Sequence, residues 1–171
     1  MGLGNLDCGD DGFGVRLAEE LVASGVPDVV IAGTTPENCI GRAADEDFDC
    51  LVFLDAVDFG AAPGSVVLIN SKQIYARYPQ ISTHKISLGV LARWIEGSGR
   101  TRVLLLGAQP ESVNSGKELT PTLRATLGIL RDLLVEVVTG ERGSRTREVC
   151  SRRGNASERN LVRSDEEVTV C

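Results

Sequence analysis

The stretch CLVFLDA at residues 50–56 decides the fold class, because every residue in it except the aspartate is apolar. A continuous apolar run of this length is typical of a strand that is buried on both faces of a parallel sheet. Further apolar runs occur along the chain, and segments with helical periodicity alternate with them. The strand-like runs are 29–33, 65–70 and 102–108, and the helical segments are 11–24, 36–44, 87–97 and the residues from Thr120 onward. The sequence therefore predicts a doubly wound, three-layer α/β/α sandwich around a mostly parallel sheet.

Composition excludes several classes of protein. The formal net charge of −6 disfavours a nucleic-acid partner, because phosphate binding requires a basic surface. No apolar run is long enough for a membrane span and no basic and apolar leader is present, so we expect a cytoplasmic protein without membrane insertion. The cysteines are never spaced as C-x-x-C, which disfavours a zinc knuckle.

The composition changes near residue 140. Residues 1–140 carry the periodic apolar pattern, whereas 141–171 are rich in arginine and have almost no apolar periodicity. We expect one domain over 1–140, followed by a disordered tail over 141–171 without helix or strand.

The carboxyl ends of the predicted strands indicate where a ligand binds, because this edge carries the binding site in doubly wound folds. Asp55 ends the run at 50–56. Asp10 and Asp11 lie in GLGNLDCGDDGFG (2–14), which opens the first helix, and the sole histidine, His84, precedes the helix near 87. The glycine-rich turn matches neither a dinucleotide fingerprint nor a P-loop, and its carboxylates would repel phosphate. It is better suited to a cation or a proton.

Asp11, Asp55 and His84 together offer carboxylate oxygens and one imidazole nitrogen. Such a mixed set suits a borderline divalent metal such as nickel or zinc rather than calcium. Each residue also has a purely structural interpretation: Asp11 at the positive end of a helix dipole, Asp55 as a turn cap, and His84 as a hydrogen-bonding residue. The spacing alone leaves these alternatives open.

Six segments, in this order, resemble the hydrogenase maturation proteases over residues 2 to about 135, and most closely the subgroup that serves formate-hydrogenlyase-type nickel-iron hydrogenases. They are GLGNLDCGDDGFGVRLAEEL, GTTPEN, LVFLDAVDFG, STHKISL, LLLGAQPESV and LTPTL. The chain has neither an H-E-x-x-H zinc-protease motif nor a G-x-S-x-G serine-hydrolase motif.

The resemblance implies an endopeptidase that removes the C-terminal extension of a nickel-iron hydrogenase large-subunit precursor after nickel insertion. It places the family's nickel-binding and catalytic residues on Asp11, Asp55 and His84. The nickel belongs to the substrate and is no permanent cofactor. We expect a monomer whose partner is this precursor.

Two alternatives and one departure from the family accompany this interpretation. The first alternative is a non-catalytic, nickel-handling assembly chaperone that uses the same residues only to bind. The second is a thiol hydrolase in which Cys8 or Cys50 pairs with His84. The departure is that family members begin with an apolar strand before the Gly-x-Gly-Asn turn, whereas only Met1 precedes Gly2 here. We therefore expect the first central strand to be absent and Asp11 to be poorly anchored.

Overall fold

A computed structural model of the protein describes residues 1–45, 48–77, 87–99, 101–116, 118–152 and 169–170. The strands are β1 (Gly2–Leu3), β2 (Val30–Gly33), β3 (Cys50–Ala56), β4 (Val66–Asn70), β5 (Arg102–Ala108) and β6 (Thr169–Val170), and the helices are α1 (Phe13–Ala23), α2 (Glu37–Asp45), α3 (Ser71–Arg77), α4 (Leu88–Ser98) and α5 (Pro121–Arg152). The sheet order is β4-β5-β3-β1-β2-β6. β4 runs antiparallel to β5 at one edge and the other pairs are parallel, which confirms a mostly parallel sheet.

Alternate side chains of the central strands enter two separate cores. Phe53 and Leu105 pack with α2, α3 and α4, whereas Leu54 and Leu106 pack with α1 and α5. The helical contributions to these cores are Ile40, Ile74, Leu88, Leu91 and Ile95 on the first side, and Phe13, Leu17, Leu123 and Leu127 on the second. Full burial of each such side chain contributes about 1.5–3 kcal/mol. This arrangement confirms the predicted three-layer α/β/α sandwich.

The first central strand, predicted to be absent, is present as the two residues of β1. Gly2 pairs with both β2 and β3. The Met1 amino group donates a hydrogen bond to the Val52 carbonyl at 2.8 Å, and the Gly4 N–H donates to the Gly33 carbonyl at 3.1 Å. The expectation of an unanchored turn is therefore wrong, because main-chain bonds on both sides fix these residues between their neighbours.

Two glycines let the first turn and helix approach the sheet closely. A β-carbon at Gly14 would overlap the carbonyl oxygen of Leu54 in β3, so α1 rests directly on the strand backbone. Gly4 has a φ of 120°, and a β-carbon there would overlap the carbonyl oxygen of Asp11. The glycine-rich turn thus serves close backbone packing around the acidic residues.

Several elements differ from the sequence prediction. α5 continues to Arg152 and β6 pairs with β2, so the expectation of no helix or strand after residue 140 is wrong for these elements. Arginine and glutamate are good helix formers and no proline follows Pro121, so the helix continues through Gly140 and Gly143, although each glycine costs about 1 kcal/mol relative to alanine. α3 is a further helix that the sequence did not predict. Among the described helices, none is both long and apolar enough to span a membrane.

Candidate active site

Asp55 is the penultimate residue of β3, at the edge where the parallel strands end. Its side chain is fully buried. Oδ1 accepts a hydrogen bond from the Ala56 N–H at 2.9 Å, whereas Oδ2 is buried without a hydrogen-bond partner. Burial raises the pKa of Asp55 well above its usual range, and the negative charge of Asp11 raises it further. A buried carboxylate with an unpaired oxygen is costly to maintain, and such groups concentrate at functional sites.

Asp11 reaches the same edge from a 3-10 turn, Gly9–Gly12, that leads directly into α1. Its side chain is half-buried. Oδ2 accepts a hydrogen bond from the Asn5 N–H at 2.8 Å, and the Asp11 N–H donates to the Cys8 carbonyl at 3.2 Å. These bonds fold the turn back on itself and orient the carboxylate close enough to Asp55 to raise its pKa.

Of the three predicted site residues, the structure brings Asp11 and Asp55 together, and His84 lies outside the described residues. α4 begins at this same edge, because Glu96 near its other end accepts a hydrogen bond from the Val103 N–H at 3.0 Å, at the start of β5. Within the described ranges, no three histidine, cysteine, aspartate or glutamate side chains are grouped so as to hold a metal ion.

Asp10 has a role that sequence reasoning missed. Its carboxylate is fully buried and accepts four hydrogen bonds. Oδ2 accepts from the N–H groups of Glu111 and Ser112 at 2.9 and 3.1 Å and from the Thr120 hydroxyl at 3.1 Å, and Oδ1 accepts from the Thr120 N–H at 2.7 Å. Two consecutive acidic residues were the only sequence signal, and it does not distinguish Asp10 from Asp11.

Gln109 forms a second network that sequence reasoning missed. Its Oε1 accepts hydrogen bonds from the Phe59 N–H at 2.8 Å and the Ala61 N–H at 3.2 Å, and its Nε2 donates to Asp58 Oδ1 at 3.0 Å. Donation from Gln109, and next from the Gly60 N–H, lowers the pKa of Asp58. Gln109 therefore fixes, by hydrogen bonds, the loop that follows Asp55 along the chain.

The two thiols of the hydrolase alternative occupy different positions. Cys50 begins β3, five residues before Asp55, which places it roughly 17 Å away at the opposite end of the strand. Burial also raises the pKa of the Cys50 thiol, which disfavours the reactive thiolate. Cys8 is a free, half-buried thiol in the turn that carries Asp11. The structure thus excludes Cys50 from the site and leaves Cys8 as the thiol to test.

Comparison with known proteins gives a consistent family assignment. The sequence model of the HycI family, described as hydrogenase maturation protease, matches residues 15–136. The hydrogenase 3 maturation protease of Escherichia coli is 32% identical over 125 residues, which cover 71% of this chain and 78% of that protein. A putative hydrogenase maturation protease of Methanocaldococcus jannaschii is 28% identical over 151 residues, or 82% of this chain and 93% of that protein.

Solved structures of similar proteins share the fold. The crystal structure of a [NiFe] hydrogenase maturation protease, HycI, from Thermococcus kodakarensis aligns with a TM-score of 0.72 at 29% identity, covering 81% of this chain and 89% of that one. The endopeptidase HybD of Escherichia coli aligns with a TM-score of 0.65 at 26% identity, covering 84% and 90%.

Proposed function

The chain belongs to the hydrogenase maturation protease family, a family of endopeptidases, and we propose that it removes the C-terminal extension of a nickel-iron hydrogenase large-subunit precursor after nickel insertion. In this proposal the nickel arrives with the substrate, and Asp11, Asp55 and His84 contact it. The formate-hydrogenlyase type of hydrogenase is the proposed client class.

The observation that carries the proposal is the unpaired Oδ2 of Asp55 beside Asp11. Burial and the neighbouring charge both disfavour the ionised form of Asp55. A bound divalent cation would offset both effects, since it supplies an opposite charge and a partner for the free oxygen. α4 begins at Leu88 on this edge, four residues after His84 in the sequence, which supports a nitrogen ligand from that connection.

For the chemical step, we propose that a metal-polarised water or a nearby carboxylate attacks the scissile amide. The carboxylates of Asp11 and Asp55 fix the nickel-bearing end of the precursor at the carboxyl edge of the sheet, so that the peptide bond is presented to the nucleophile. The described residues offer no observation that favours the non-catalytic chaperone. The family assignment favours a peptidase.

The test is incubation of the purified chain with nickel-loaded and nickel-free precursor, with mass spectrometry to follow loss of a C-terminal peptide. We expect cleavage of the loaded precursor alone. Cleavage of both forms would contradict nickel recognition, and binding without cleavage would favour the chaperone. Pretreatment with a thiol alkylator tests Cys8, and we expect no loss of rate.

The site residues are tested by Asp11→Asn, Asp55→Asn and His84→Gln, which keep side-chain size and remove a charge or a ring nitrogen. We expect each to reduce processing by at least about 100-fold while the fold persists. Asp28→Asn is the matched control, because Asp28 is exposed and its φ of 57° is one that asparagine readily adopts. Normal processing by any of the three site variants would remove that residue from the site.

A further inference from the structure

The connection between β5 and α5, here called the β5–α5 segment (residues 109–120, of which 117 is outside the described residues), contacts the turn that carries Asp11 and the loop that follows Asp55. We propose that this segment is a positioning element that sets the separation of Asp11 and Asp55 through two side chains, Asp10 and Gln109. This inference rests on the proposed function and deepens it, because it concerns how the same site is held.

Asp10 links the segment to the turn that carries Asp11. All four groups that surround its carboxylate donate to it, and a carboxylate is the side-chain group that accepts at every position and donates at none. Main-chain bonds run beside it, from the Asp10 N–H to the Ser112 carbonyl at 3.1 Å and from the Gly116 N–H to the Asp7 carbonyl at 2.9 Å. The turn is therefore held against the segment by both side-chain and main-chain bonds.

Gln109 links the segment to the loop that follows Asp55. This link needs one acceptor and one donor, because two main-chain N–H groups face Oε1 and the Asp58 carboxylate faces Nε2. The amide is buried, with only 6% of the residue exposed. The Gln109 N–H donates to the Ser65 carbonyl at 2.8 Å, and the Gly64 N–H donates to the Gln109 carbonyl at 2.9 Å. Both ends of the loop are thus fixed to the β5–α5 segment.

One segment therefore bonds to the residue before Asp11 and to the loop after Asp55, although the two acids lie far apart in the sequence. The oxygens of Asp10 are occupied by donors, so it acts through the position of Asp11. Gln109 likewise acts through the loop after Asp55. Because a shift of about 1 Å in catalytic geometry can reduce a rate by about 100-fold, loss of either link should lower turnover more than substrate binding.

The sharpest test exchanges the polarity of the Gln109–Asp58 bond. Gln109→Glu keeps the acceptor for Phe59 and Ala61 but removes the donor and places two carboxylates together. Adding Asp58→Asn restores a donor opposite the new carboxylate and the original net charge. Gln73→Glu is the matched control. Gln73 lies in α3, near the start of β5 and away from the carboxyl ends of the parallel strands. Its Oε1 accepts from the Asn70 N–H at 3.1 Å, a bond that glutamate retains.

Two readouts separate positioning from a general loss of stability. We expect Gln109→Glu to lower kcat for precursor processing about tenfold with KM within about twofold. The double variant should recover kcat to within about threefold, and Gln73→Glu should match the wild type. The amide NMR signals of Ala56 and Asn5, which donate to Asp55 and Asp11, should shift in Gln109→Glu and return in the double variant.

Unchanged amide signals and unchanged kcat in a folded Gln109→Glu protein would overturn the inference, as would a double variant that recovers neither. If Gln109→Glu does not fold, recovery of folding and amide signals in the double variant supports the inference and lack of recovery overturns it. If the wild type fails to process loaded precursor, the proposed function fails, and the amide signals alone decide the positioning role.

Discussion

Asp11 and Asp55 lie beside each other, but the chain places them in different ways. Asp55 is the penultimate residue of a seven-residue strand that is paired on both sides, so the sheet fixes its main chain, and Gln109 adds bonds only to the loop that follows it. Asp11 lies in a 3-10 turn that follows a two-residue strand, and its position depends on close backbone packing and on bonds to the β5–α5 segment. The strand end is therefore the robust part of the site, and the turn is the part that point substitutions disturb most readily.

Among substitutions near the turn that carries Asp11, we expect Gly14→Ala, in α1, to destabilise the protein most. A β-carbon at Gly14 would overlap main-chain carbonyl oxygens of Leu54 and Leu3, which cannot swing away as a side chain can. We expect α1 to lift from the sheet and the free energy of unfolding to fall by about 3–4 kcal/mol, at the upper end of overpacking effects. Urea denaturation measures this change, and processing activity should fall with it.

Gly128→Ala is the matched control for this substitution. Gly128 also lies within a helix, and a β-carbon there would meet nothing within 4 Å. We expect a gain of about 0.5–1 kcal/mol from the better helix propensity of alanine. Equal destabilisation by the two variants would show that α1 does not depend on close approach at Gly14.

Asp10→Asn is expected to have the next largest effect. The amide has one acceptor oxygen and would direct its NH₂ toward groups that are themselves donors. Leaving buried donors unsatisfied costs about 1–3 kcal/mol each, and partial relaxation leads us to expect a loss near 2–3 kcal/mol. Thermal unfolding measures it, with Asp28→Asn as the exposed control. A loss below about 0.5 kcal/mol would show that the turn does not depend on this link.

This contrast also explains what the sequence could predict. The strand end at Asp55 follows from a local apolar run, and the general rule for doubly wound sheets indicates which edge carries the site. β1 was missed because two residues have no periodicity, and their pairing depends on neighbours that are distant in the sequence. The roles of Asp10 and Gln109 were missed for the same reason, since their partners lie about 50 to 110 positions away.

The raised pKa of Asp55, near the end of β3, can be tested by measuring the stability of Asp55→Asn as a function of pH. The pKa of Asp55 is raised in the folded protein, so the folded state retains a proton that the unfolded state loses above pH 4 or so. Stability therefore falls as the pH rises from that value through the folded pKa. We expect Asp55→Asn to raise the melting temperature at pH 8 by a few degrees relative to the wild type, and to leave it unchanged near pH 4.

The Met1 amino group contributes the opposite dependence of stability on pH. Its pKa is lowered to about 5 by burial, so the unfolded state binds the extra proton between about pH 5 and 8, and stability rises with pH over that window. This contribution is common to wild type and variant, so it cancels when their melting temperatures are subtracted at each pH. A difference that does not grow with pH would contradict the raised pKa of Asp55.

Asp11→Asn is expected to have the smallest effect on stability, and it tests whether the carboxylates of Asp11 and Asp55 interact. Asparagine retains a carbonyl oxygen for the Asn5 N–H, so we expect the turn to persist. Burial, the larger cause, would still raise the pKa of Asp55, but the repulsion from Asp11 would be gone. The Asp55 carboxyl signal, followed by carbon-detected NMR, should therefore titrate at a lower pH than in the wild type. The gain in melting temperature at pH 8 should stay below that of Asp55→Asn, because only one of the two causes is removed. An unchanged titration would show that the turn holds Asp11 too far from the strand end for the two carboxylates to share one cation.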